Sequence, residues 1–119
     1  EEARVLDGLS NNYTKAWKEL LKWRGISQAE LSRRTMITEK TIGNIINGET
    51  SGTLNNVVLM CLAAHLPWEM SDYLIQRSGH KLLLNNDDHN WYRFVLKNMY
   101  PKEIPEIQAF LQEQGASPL

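Results

Sequence analysis

The side chains best suited to chemistry in this chain cluster between Gln28 and Asn47, and the chemistry is hydrogen bonding rather than bond making. Asn44 carries an amide whose donor and acceptor match the edge of an adenine in a bidentate pair. Lys40 donates to guanine acceptors or to a phosphate. Thr41 reaches a phosphate or a thymine methyl. Glu39 accepts from cytosine and is repelled by phosphate. Gln28 is placed to bond a phosphate beside the amides of a helix start. Gly43 leaves a gap in the set, which permits close approach to a sugar-phosphate backbone and costs about 1 kcal/mol of helix stability.

The other reactive residue types stand alone. Cys61 lies between Met60 and Leu62 in an apolar run and reads as a buried, inert thiol. As the only cysteine, it excludes an intrachain disulfide and a cysteine zinc cluster. His65, His80 and His89 lack metal-ligand spacing and read as surface or capping residues. Asp87-Asp88 is more simply a helix start than a metal site. No phosphate-cradling glycine loop, dinucleotide fingerprint or zinc-protease motif is present. The expectation is a protein that is not an enzyme and takes no cofactor or metal.

The elements that position these residues are helices throughout. Ser10-Asn11-Asn12 starts a helix carrying Tyr13, Trp17, Leu20 and Leu21 at helical spacing, and Gly25 ends it. Ser27 caps a short second helix, and Glu30 three residues later completes a capping box. Ala29 fits a close crossing with the next helix, while Arg33 and Arg34 face outward. Thr35-Met36-Ile37 is too short a turn for antiparallel packing, so the helices cross steeply. Thr38 caps a third helix over 39–46, and Asn47-Gly48 stops it. Leu31, Ile37, Ile42 and Ile45 make the small core between the two. Leu54 to Leu66 is almost entirely apolar and predicts a central buried helix. Pro67 opens a fifth helix ending near Gly79. Asp87 or Asp88 caps a sixth, with Trp91, Phe94, Val95 and Leu96. A last helix carries Ile104, Ile107, Phe110 and Leu111.

Composition sets the outer bounds. The chain has 119 residues, 42% hydrophobic and 23% charged, enough for one cored domain with an extension. No apolar run approaches a membrane span and no signal-peptide pattern is present, so a cytoplasmic setting is the default expectation. Net charge is −1, which gives no argument for a uniformly basic nucleic-acid binder. The charge is uneven, however. Ser10 to Gly52 carries seven basic and four acidic residues, while Asn85 to Leu119 carries three basic and five acidic ones. Two halves of opposite sign point to different partners.

Ile26-Ser27-Gln28-Ala29-Glu30-Leu31-Ser32-Arg33-Arg34, then Ile37-Thr38-Glu39-Lys40-Thr41-Ile42 and Asn47-Gly48, resemble the phage repressor/Cro (XRE) helix-turn-helix family. The later Leu54, Val57, Leu59, Leu62, Ala63 and Leu66 resemble its fourth helix. The resemblance covers about Tyr13 to Gly79. It implies a lambda repressor-like bundle of about five helices that binds DNA as a dimer in transcriptional control. By position it carries a phosphate contact to Gln28, base reading to Glu39, Lys40 and Asn44, and a backbone contact to Asn47. Three residues depart from the family pattern: Met36 where the turn usually has glycine, Glu39 at the DNA-facing helix start, and Gly43 on its exposed face.

The resulting expectation is an all-α protein with three parts: an arm or linker over 1–12, a helix-turn-helix DNA-binding domain over 13–81, and a two-helix extension over 82–119. The extension packs in cis around Tyr73 and Leu74, on a second subunit, or on both. The expected function is sequence-specific duplex DNA binding through Gln28, Thr38, Glu39, Lys40, Thr41, Gly43, Asn44 and Asn47, as a cytoplasmic regulator. The expected partners are double-stranded DNA, a second copy of the chain and a regulatory protein, with no membrane. The alternative is an antitoxin-like interaction module that keeps the fold without reading DNA.

Overall fold

The computed structural model describes residues 2–119. Among them the chain forms eight α-helices and no strand: α1 Glu2–Asp7, α2 Tyr13–Arg24, α3 Gln28–Thr35, α4 Glu39–Ile46, α5 Leu54–Ala63, α6 Trp68–Arg77, α7 Asp87–Asn98 and α8 Ile104–Glu113. Short polar side chains start most of these helices. Asn12, Ser27, Thr38, Thr53 and Asn86 each accept from a backbone N–H three residues on. Each such cap is worth about 1 kcal/mol.

Two of the start signals differ from the sequence expectation. Asn86, rather than Asp87 or Asp88, caps α7, and both aspartates sit in the first turn, where the helix dipole favours negative charge. The Asp88 carboxylate accepts from the Ser117 amide at 3.0 Å, and this bond holds its pKa below the ordinary carboxylate value. At α3 the capping box forms by half. Ser27 Oγ accepts from the Glu30 amide at 3.1 Å, but the Glu30 carboxylate turns to Arg33 and Arg34. Two guanidinium groups hold a carboxylate more strongly than one neutral amide does.

α5 is the centre of the bundle. Val57 through Ala64 are all buried, and α3, α6, α7 and α8 pack around the helix. A helix so apolar has no side chain to satisfy the carbonyls at its C-terminal end. Two arginines from other helices do this. Arg34 Nη1 donates to the Ala63 carbonyl at 2.8 Å, and Arg24 Nη2 donates to the His65 carbonyl at 2.8 Å. Each also brings positive charge to the negative end of the α5 dipole. The expectation that Arg34 faces solvent is therefore corrected, and Arg24 is likewise a bracing residue rather than a free surface charge.

The C-terminal helices close the same core. Tyr92, Val95, Leu96, Ile107 and Leu111 are buried in one cluster with α5 and with Leu74 of α6. Full burial of each such side chain is worth about 1.5–3 kcal/mol. Tyr73 looks the other way, donating its hydroxyl to the Ser10 carbonyl at 2.7 Å and carrying the Arg77 guanidinium over its ring. It thus ties α6 to the segment before α2. The stretch expected as an arm or linker contains α1, whose Val5 and Leu6, together with Leu9, lie partly buried against the core. Among the described residues no helix is long and apolar enough to cross a membrane.

Candidate nucleic-acid interface

The turn between α3 and α4 aims the site. Met36 adopts the left-handed conformation at φ 64° with its side chain 89% exposed. A non-glycine residue there costs about 1 kcal/mol, and the turn holds it with side-chain bonds. Thr35 Oγ1 donates to the Leu31 carbonyl at 2.7 Å and accepts from the Ile37 amide at 3.2 Å. Ser32 Oγ donates to the Ile37 carbonyl at 2.6 Å. Ser32 is thus the small residue inside the turn, and Ala29, expected at the crossing, is exposed. Leu31, Ile42 and Ile45 are fully buried and Ile37 packs on them, which fixes α4 against α3.

α4 shows two faces. Ile42, Ile45 and Ile46 are buried, while Glu39 and Lys40 are exposed and Thr41, Gly43 and Asn44 are half-buried. Thr38 Oγ1 accepts from the Thr41 amide at 3.2 Å and donates to Thr41 Oγ1 at 3.0 Å, so the Thr41 hydroxyl proton stays free to donate outward. Glu39, Lys40 and Asn44 make no side-chain hydrogen bond or ion pair to another described residue. Gln28, at the first turn of α3, lies beside this face: a Cβ on Gly43 would stand 3.5 Å from Gln28 Oε1. Gly43 therefore has room for a side chain. Asn47 closes α4 on its exposed end, its amide donating to the Gly43 carbonyl at 2.9 Å. The structure thus places Gln28 beside Gly43 and gathers Thr38, Glu39, Lys40, Thr41, Asn44 and Asn47 on one short helix and its two caps.

The isolated reactive residues serve the fold. Cys61 is fully buried, and burial pushes its thiol up to about 12. His65 Nδ1 faces the Tyr100 carbonyl at 2.8 Å, and His89 Nδ1 accepts from the Leu83 amide at 3.0 Å. His80 Nε2 lies 3.0 Å from the Ser51 carbonyl and 3.1 Å from that of Gly52. A histidine spaced this far from a loop carries no local signal, and sequence reasoning missed the tie. The described residues hold no group of three or more His, Cys, Asp or Glu able to take a metal.

This geometry is that of a helix-turn-helix bundle with an outward-facing second helix, a lambda repressor-like helical fold. Residues 18–67 match the family model described as "Helix-turn-helix". That segment, from within α2 to just past α5, is similar to the phage repressor/Cro type of helix-turn-helix, a class of DNA-binding regulators. No match was found among the curated proteins or among the solved structures. α1, α6, α7 and α8 lie outside the matched segment.

Proposed function

We propose that the protein regulates transcription by reading the major groove of duplex DNA with α4. The observation that carries this is the α4 face itself. Lys40, Glu39 and Asn44 project from a helix whose opposite side is fully buried, and their side chains have no partner among the described residues. Asn44 supplies the bidentate amide for adenine, Lys40 a donor for guanine or phosphate, and Gln28 a backbone contact beside the α3 amides. Thr38, Thr41 and Asn47 lie at the two ends of α4, where a helix seated in the groove passes the phosphate strands. Gly43 lets the sugar-phosphate backbone approach.

The protein works as a dimer in this reading, with one α4 per half-site. An aromatic cluster on the far helices supports an interface there. Phe94 is 41% exposed and stacks on Phe110 with ring centroids 5.5 Å apart, and Trp91 meets both rings edge-on. The acidic cast of this region keeps it off DNA. The test is selection from a pool of random duplex DNA across a salt series, followed by sequencing. An enriched palindrome with steep salt dependence is the expected result. No binding at low salt would overturn the reading in favour of a helix-turn-helix kept for protein interaction.

A further inference from the structure

A cleft of about 470 Å³ opens between α6 and the chain that follows it. That volume lies within the usual range of small-molecule sites. Trp68 and Ile75 line it from one face of α6, and Leu82 faces them from the connecting segment. Arg93 enters from α7. Its guanidinium donates to the Leu82 carbonyl at 2.7 Å and to Asn90 Oδ1 at 2.8 Å. Both acceptors are neutral, and among the described residues no carboxylate oxygen lies within 4.0 Å of it. Arg93 is half-buried, so its charge lacks both full hydration and a counter-ion. Two bonds fix the planar group and leave further N–H donors for an anion. Lys81 adds a second cation at the rim. The carboxylate of Asp72, which accepts from Gln76 Nε2 at 2.9 Å, sets an upper limit on the negative charge admitted.

We propose that this cleft binds a small organic monoanion with a flat apolar body, and that its occupancy acts on α4. The carboxylate pairs with Arg93, and the apolar body lies between Trp68, Ile75 and Leu82. His80 supplies the route to α4. It lines the cleft, and its Nε2 faces two carbonyl acceptors, Ser51 and Gly52, so that nitrogen carries the proton. Gly52, at φ +62°, lies close beside α4, where a Cβ on it would stand 2.6 Å from Ile45 Cδ1. Cleft wall, loop and the buried side of α4 are therefore contiguous.

The test uses the full chain and 2-naphthoate as probe. Titration to about 10 mM, above the Kd of order 1 mM set by the size of such a ligand, should shift the Trp68 indole N–H resonance saturably. That resonance is assigned by its loss in Trp68→Phe. Arg93→Gln should weaken binding about tenfold, and Lys81→Gln, which changes an exposed residue and spares the fold, about twofold. 2-Naphthylmethylammonium should not saturate. Absence of a saturable shift, equal binding of the cation, or undiminished binding in both variants would overturn the site. Pooled duplex DNA should then bind with an affinity changed severalfold at saturating naphthoate, and His80→Gln should abolish that change. Unaltered DNA affinity would overturn the action on α4. This second arm rests on the DNA reading above, whereas the first needs no DNA, so the two failures are distinguishable.

Discussion

α3 and α4 are neighbours of equal length, eight residues each, and they use their polar side chains in opposite ways. On α3, Glu30 pairs with Arg33 and Arg34, and Arg34 goes on to brace the end of α5. Its charges are largely satisfied within the molecule. On α4, Glu39, Lys40 and Asn44 are satisfied by nothing else in the described chain. A helix that supports the fold spends its polar groups inward, and a helix that meets a ligand keeps them free. The same contrast separates stability from binding at two residues: substitution of Arg34 on α3 should change the first, and substitution of Asn44 on α4 the second.

The largest expected effect is on the supporting side. Arg34→Ala removes a charged donor from the Ala63 carbonyl and should cost about 2 kcal/mol in chemical denaturation. Arg33→Ala, whose side chain is 72% exposed, should change stability by less than about 0.5 kcal/mol. Equal effects from the two would mean that Arg34 does not brace α5. On the reading side, Asn44→Ala should lose about 1–3 kcal/mol on a selected DNA site and relax one base preference. Its stability should stay within about 0.5 kcal/mol of the parent. Unchanged affinity for both selected and scrambled DNA would remove Asn44 from the interface.

That contrast was only partly legible in the sequence. The turn length, the Ser27 and Thr38 caps and the apolar spacing of Ile42 and Ile45 are local signals, and they placed α3 and α4 correctly. The unpaired face of α4 followed from the same periodicity. Arg33 and Arg34 are adjacent and alike, however, and what separates them is a carbonyl 29 residues away in sequence. Ala29 and Ser32 are both small, and only the packed geometry shows that Ser32 lies inside the turn. Asn86 and the two aspartates after it are all good caps, so local chemistry could not choose among them. The tie from His80 to Ser51 and Gly52 spans 29 and 28 residues and leaves no pattern.

Gly43 sharpens the comparison further, because one substitution should move the two properties in opposite directions. It sits inside α4, where glycine costs about 1 kcal/mol relative to alanine. A Cβ there would meet Gln28 Oε1 at 3.5 Å, an ordinary contact. Gly43→Ala should therefore stabilise the fold by about 1 kcal/mol. It should also weaken DNA binding on selected and unselected sequences alike, because the added methyl would stand where the sugar-phosphate backbone approaches. A more stable variant that binds DNA equally well would show that this part of α4 stands off from the backbone.

The smallest expected effect concerns Glu39. As the first residue of α4, it places a negative charge at the positive end of the helix dipole, a favourable contact worth about 0.3–1 kcal/mol at an exposed position. The same charge faces the phosphates if α4 enters the groove end-on. Glu39→Gln should therefore lower stability by about 0.5 kcal/mol and raise affinity for unselected duplex DNA a few-fold at low salt. That gain should fade as salt screens the repulsion. The carboxamide removes the charge and keeps the length, so the two signs can be read on one variant. A fall in affinity confined to particular sequences would instead mean that Glu39 accepts from a base donor such as cytosine. Unchanged affinity at every sequence, even at low salt, would place Glu39 away from the phosphates and turn α4 about its axis relative to the groove.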